Sequence, residues 1–212
     1  MLPRVVSRLS RAQLLGGGVK GGTALLLGGA ASGILAAGAQ ANPPAASVGA
    51  IPASDLAYVR LLISVELLAV DFYQHAVASK HLQGQALSDA KLAFINENEH
   101  YAYLAAAIAS AGAAALTAAD INFSYPAGGF FTAASVTKLA TTLEQLALGS
   151  YLGAAGNLSN PVLAAAVAQI TANEAQHLAA FSLHLRQPAF RQAFPDPMTI
   201  EEASNALGAY TS

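Results

Sequence analysis

Two stretches of this chain carry the same polar signature on the same apolar background. Asn96-Glu97-x-x-His100 recurs as Asn173-Glu174-x-x-His177, and each copy follows a lone glutamate, Glu66 or Glu144, by 31 and 30 residues. Each lone glutamate is itself followed seven residues later by a tyrosine, Tyr73 or Tyr151. Residues three apart on a helix share a face, so each Glu-x-x-His aims a carboxylate and an imidazole at one point. Charged residues are only 10% of the sequence, and a carboxylate buried without a partner is costly. The pattern therefore calls for two similar helical pairs that bring these polar groups together.

Apolar periodicity supplies four long helices. The first spans about Ser54 to Lys80, with Ser54 as its cap and Asp55 in its first turn. Its stripe is Val59, Leu62, Ile63, Ala69, Val70 and Tyr73, with Glu66 in the middle. The second spans about Ser88 to Ser110 and aligns Ala93, Phe94, Glu97, His100, Tyr101 and Leu104. The third, about Ala134 to Leu152, aligns Ala140, Glu144, Ala147, Leu148 and Tyr151. The fourth opens at Asn160-Pro161, an N-cap followed by proline at the first helical position. It runs to about Arg186, with Val167, Ile170, Glu174, His177, Leu178 and Phe181 on one face. Beyond it, Thr199-x-x-Glu202 reads as a capping box for a short helix from Ile200 to Leu207, stopped by Gly208 and packed on the rest.

Connection lengths order these helices. About seven residues join the first to the second and about seven the third to the fourth, which makes each pair an antiparallel hairpin. About twenty residues separate the second from the third, long for a loop inside one domain. At about 3.3 Å per residue such a link spans a helix of about 25 residues, itself about 37 Å long. The expected fold class is therefore all-α: a four-helix bundle with one long crossover, over residues 54–187. Glu66 and Glu97 lie equidistant from the first short link, as Glu144 and Glu174 do from the second, so each pair faces across its hairpin.

One Glu from each of two helices with Glu-x-x-His from the other two is the ligand pattern of a dinuclear carboxylate centre. The candidate metal ligands are Glu66, Glu97, His100, Glu144, Glu174 and His177. Glu97 and Glu174 are the bridging candidates, Glu66 and Glu144 the terminal ones, with one neutral histidine for each metal. Carboxylate with imidazole suits Fe, Mn or Zn, and of these Fe and Mn exchange electrons with O2 or peroxide. The expected cofactors are two Fe or Mn ions, and the expected partner is a small-molecule oxidant or Fe(II). A buried hydrogen-bonded cluster without metal is the competing reading. Tyr73 and Tyr151 are candidate neighbours of the centre, or plain core residues. Glu99, His75, His81 and His184 are expected outside the ligand set.

Composition excludes several other classes. The chain has no cysteine, so disulfides, thiolate ligands and thiol catalysis are excluded. From Asn42 onward six basic residues face twelve acidic ones, with no basic stripe, so no nucleic acid partner is expected. The first 41 residues read as an export leader. A basic start precedes an uncharged run from Gly21 to Ala39, then the small-x-small pattern Ala39-Gln40-Ala41. Ser10-Arg11-Ala12-Gln13-Leu14-Leu15 is similar to a twin-arginine signal, with Ala12 where the second arginine would stand. The expected location is periplasmic or extracellular; an uncleaved leader would instead be a membrane anchor. Residues 42–53, rich in Pro, Ala and Gly, read as a linker. The low-charge stretch Ala105–Ala119 is expected as a buried helix face or a contact between copies in a homo-oligomer.

Several segments carry a resemblance. Phe123-Ser124-Tyr125-Pro126, Thr142-Leu143-Glu144, Tyr151-Leu152-Gly153-Ala154, Ala165 through Ile170, and Asn173-Glu174-Ala175-Gln176-His177 resemble exported ferritin-like proteins related to plant desiccation-related proteins. The resemblance covers about Asp55 to Gln187. It implies a ferritin-like bundle and, from related branches, ferroxidase, rubrerythrin-type peroxidase or manganese catalase activity. It also implies an alternative: a non-enzymatic protein of desiccation or envelope stress, with the site empty or structural. Storage of iron in a cage is disfavoured, because few acidic residues remain to line channels.

Overall fold

Helix signals in the sequence translate into five helices among the described residues. The structure is a computed structural model and describes residues 48–211. The leader expected over residues 1–41 and the start of the linker lie outside the described residues. The helices are α1 (Ala53–Ala78), α2 (Gly84–Ser110), α3 (Ala133–Ala155), α4 (Pro161–His184) and α5 (Ile200–Leu207), the last followed by a 3-10 turn, Gly208–Tyr210. Among the described residues no strand forms beyond an isolated bridge between Phe123 and Thr211.

Packing follows the connection lengths. α1 pairs with α2 and α3 with α4, and contacts of α1 with α3 and α2 with α4 close the bundle. The chain between α2 and α3 runs the length of the bundle. Near its start Tyr101 Oη donates to Leu116 O at 2.9 Å, and further on Tyr125 Oη donates to Asp71 Oδ2 at 2.7 Å. Two apolar clusters fill the interior. One gathers Leu68, Phe72, Ala93, Leu143 and Phe181; the other gathers Leu62, Ile63, Leu104, Val167 and Ile170. On α2 and α4 the candidate glutamate falls between residues of the two clusters: Glu97 between Ala93 and Leu104, Glu174 between Ile170 and Phe181.

Three local expectations change. Ser54 does not cap α1, whose N-cap position is Pro52 with no side-chain bond. Asp55 instead turns inward and accepts from Ser159 N at 3.0 Å, Ser159 Oγ at 2.9 Å and Asn160 N at 2.8 Å, tying α1 to the turn before α4. α2 starts at Gly84, a turn before Ser88, from extended Gln83. Residues 48–52, within the span read as linker, pack on the bundle: Val48 and Ile51 are buried, and Asn160 Nδ2 donates to Val48 O at 2.7 Å. Asn160 also caps α4 as its sequence dictates, accepting from Val162 N and Leu163 N at 3.0 Å each. Thr132 caps α3 in a box with Ser135, and Thr199 caps α5 in a box with Glu202.

The tail covers a face that periodicity assigned to solvent. α1 is buried all round from Leu61 to Ala69, including Leu61, Val65, Leu67 and Leu68 outside the expected stripe, whereas Val70 is half-buried. The physical reason is what lies over it: α5 crosses α1 and α3 and shares a cluster with Leu61 and Leu68 through Ala203 and Leu207, and the crossover shares the other cluster with Leu67 through Ile121. Gly149 and Gly153 make this docking possible. A Cβ on Gly153 would stand 1.8 Å from Met198 O, and Met198 N donates to Gly149 O at 2.8 Å. The Ala-rich stretch from Ala105 divides: Ala107 and Ile108 are buried, while Ala106, Ala109, Ala114, Ala118 and Ala119 are exposed.

Candidate metal centre

Each long helix delivers its polar group to the layer between the apolar clusters. Glu66, Glu97, Glu144, Glu174 and His177 are buried, and His100 is nearly so, with 12% of its side chain exposed. His100 Nδ1 lies 3.1 Å from Glu174 Oε1, 3.3 Å from Glu97 Oε2 and 3.7 Å from Glu66 Oε2. His177 Nδ1 lies 3.0 Å from Glu97 Oε1, 3.6 Å from Glu144 Oε2 and 3.7 Å from Glu174 Oε2. The structure thus brings all six residues together as two overlapping groups. Glu66, Glu97, His100 and Glu174 form one; Glu97, Glu144, Glu174 and His177 form the other. In each group one donor atom per residue lies within 4.8 Å of the others. Glu97 and Glu174 belong to both groups, one oxygen facing each way.

These groups fit divalent cations better than they fit one another. Glu66 Oε2, Glu97 Oε1, Glu144 Oε2, both Glu174 oxygens and His177 Nδ1 are buried without a hydrogen-bond partner. Buried polar atoms are almost always satisfied, so six orphans in one layer require an explanation. His177 Nδ1 approaches Glu97 Oε1 to 3.0 Å yet the two do not align as donor and acceptor. Lone pairs converging on shared points, instead of on each other, are what oxygen and imidazole ligands of a cation require.

Electrostatics carry the same mark of crowded negative charge. Burial first, then the neighbouring Glu174 and Glu66, pushes the Glu97 carboxyl well above its usual range. Burial likewise drives Glu144 up to about 7, against the pull of His177. Burial opposes a charge on His100, but Glu174, Glu66 and Glu97 outweigh it and hold its proton up to about 12. His177 is also pushed well above its usual value, against its burial, chiefly by Glu144. Glu174 is buried too, yet the two imidazoles bring it down to about 2. Burial raises the Glu97 and Glu144 carboxyls, with like charge adding to it, whereas opposite charge nearby raises the imidazoles and lowers Glu174.

The tyrosines lie at the centre and cross between the two halves. Tyr73 of α1 donates to Glu144 Oε1 of α3, and Tyr151 of α3 donates to Glu66 Oε1 of α1. Each therefore holds the terminal glutamate of the opposite hairpin, leaving Oε2 of that glutamate toward the cluster. Burial, with the adjacent carboxylates, pushes both phenols well above their usual value, so both remain donors. The sequence placed the tyrosines near the centre but not the exchange of partners.

Asn96 is the residue that sequence reasoning left without a role. Its amide nitrogen lies 3.0 Å from His177 Nε2, across from α2 to α4. The available signal was the repeat itself, which carries an asparagine before each glutamate. The remaining acidic and histidine side chains stay outside the cluster, as expected. Glu99 and His81 are exposed, His75 bonds Asp71 O at 2.8 Å, and His184 Nε2 pairs with Asp89 Oδ2 at 2.7 Å.

A search of curated proteins returns no match. The family described as ferritin-like domain matches residues 54–187, the span that holds the four long helices and all six candidate ligands. This chain therefore belongs to the ferritin-like domain family.

Proposed function

We propose that the protein holds two divalent iron or manganese ions between its four long helices and acts on peroxide, O2 or Fe(II). Glu66 and His100 would hold one ion, Glu144 and His177 the other, with Glu97 and Glu174 shared. The observation that carries this reading is the pair of four-residue groups with two members in common, lined by unpartnered buried donor atoms. Iron or manganese bound there would supply redox chemistry that the side chains alone lack. The residues do the rest. Tyr73 and Tyr151 fix the terminal glutamates, and the apolar clusters on either side exclude water and strengthen every electrostatic interaction in the layer. The least buried edge of the centre is its histidines, 12% and 8% exposed against 3% or less for the glutamates. A small oxidant or Fe(II) therefore reaches the centre from the α2–α4 side.

The N-terminal sequence supports a protein exported to the periplasm or the exterior, in a role in stress protection. The exposed alanines after α2 support self-association into a homo-oligomer. The deciding experiment is metal content after anaerobic reconstitution of protein lacking residues 1–41, with Fe(II) and peroxide turnover measured on the same sample. We expect about two ions per chain, and fewer than about one overturns the reading. Two bound ions without turnover would support the structural alternative in place of redox activity.

A further inference from the structure

The two halves of the centre are alike in their ligands but not in what stands behind them. Asn96 faces His177 Nε2 at 3.0 Å, while His177 Nδ1 faces Glu97, Glu144 and Glu174. Among the described residues no corresponding bond joins Asn173, the repeat counterpart of Asn96, to His100. His100 is also the more exposed of the two imidazoles.

We propose that Asn96 is a positioning residue that fixes the ring and tautomer of His177, making the His177 half of the centre the tighter of its two cation positions. The inference rests on the dinuclear reading above. An imidazole that gives Nδ1 as ligand must carry its proton on Nε2, which then needs an acceptor. Asn96 supplies one: its amide end presents oxygen or nitrogen at the same place after a half-turn, and the oxygen accepts from Nε2–H. With that bond made, His177 cannot rotate to offer Nε2 or shift its proton to Nδ1 without leaving a partly buried donor unpaired. Among the described residues His100 has no such bond at Nε2, and its Nδ1 instead bonds Glu97 Oε2 at 3.3 Å, a bond that a cation taking Nδ1 must displace. The cost of that exchange falls on the His100 half, which becomes the weaker position.

The test uses Zn2+ as probe, by titration calorimetry and by nitrogen NMR of the histidine rings. The wild-type protein is expected to bind two Zn2+ with distinct affinities and to show His177 ligated through Nδ1 with a proton on Nε2. Asn96→Leu is expected to weaken the tighter step about 10–100-fold and leave the weaker one unchanged. Asn96→Asp keeps an acceptor and is expected to hold wild-type affinity. Two Zn2+ affinities within about threefold of wild type in Asn96→Leu overturn the proposal, as does ligation of His177 through Nε2. If Asn96→Leu does not fold, Asn96→Asp decides: a tenfold loss there overturns it. A wild-type protein that takes up no Zn2+, Mn2+ or Fe2+ overturns the dinuclear reading as well, and so is told apart from failure of the positioning role alone.

Discussion

Glu97→Gln separates what the glutamate does for the fold from what it does for cations. Burial and the negative Glu174 and Glu66 push the Glu97 carboxyl well above its usual range, which favours its neutral form when no cation is present. Glutamine is a neutral group of the same shape. The expected change in cation-free stability is no more than about one net hydrogen bond, ~1 kcal/mol. With cation the balance reverses. Wild-type protein at a free Mn2+ concentration 100 times its dissociation constant gains about 2.7 kcal/mol. For a chain of this size that raises Tm by about 5–10 °C. Glutamine offers one weak oxygen where the centre needs two shared anionic ones, so the variant is expected to gain almost nothing. Acidity sets the direction with pH. Cations compete with protons at Glu97 and His177, both pushed well above their usual values, and at His100, held up to about 12. Affinity therefore rises with pH, and protons are released to the buffer. Calorimetric unfolding with and without Mn2+, at two pH values, measures all of this. A cation-free loss of 3 kcal/mol or more in the variant would refute the reasoning, because Glu97 would then be an ionised structural partner. An equal Mn2+ shift in both proteins would refute it from the other side.

Three further outcomes follow from the geometry. Tyr73→Phe and Tyr151→Phe each strip a buried glutamate oxygen of its donor; each should cost about 1–3 kcal/mol in urea unfolding, and by similar amounts, since the two bonds are related by the repeat. Gly153→Ala places a methyl 1.8 Å from the Met198 carbonyl, which should release the tail, open residues 188–199 to protease and forfeit at least the burial of Leu207, about 1.5–3 kcal/mol; Gly149→Ala, which meets the flexible Met198 side chain, should be milder. Burial pushes the Asp55 carboxyl up, but the donors of Asn160 and Ser159 outweigh it and leave it below its ordinary 3.8. Its contribution is therefore complete above pH 3.8 and fades as pH falls through the lower folded value. Asp55→Ala should cost about 2–3 kcal/mol at neutral pH, and the gap to wild type should close in acid unfolding.

What could be read from the sequence was what depends on local spacing. Glu-x-x-His on an apolar helix fixes two side chains on one face whatever surrounds them, and Asn160-Pro161 starts a helix by its own backbone chemistry. Loop lengths then decided which helices are neighbours, and that was enough to bring Glu66, Glu97, His100, Glu144, Glu174 and His177 to one layer. Residue periodicity could not tell that Tyr73 bonds Glu144 instead of its own Glu66. That choice depends on how closely α1 and α3 approach, a distance that neither helix encodes alone. The same holds for Asn96 and His177, which meet only because α2 and α4 are neighbours. It holds also for Asp55, whose place in a first turn suggested a partner for its own helix, whereas its carboxylate found the free N–H groups of the Ser159-Asn160 turn. α1 departs furthest from its pattern, because α5, docked through a groove cut by Gly149 and Gly153, and the crossover cover residues outside its expected stripe. Residue spacing alone set which side chains share a helical face; the packing of the helices set which of them satisfy each other, because contact between distant residues depends on helix separation and orientation, and no one-dimensional spacing contains these.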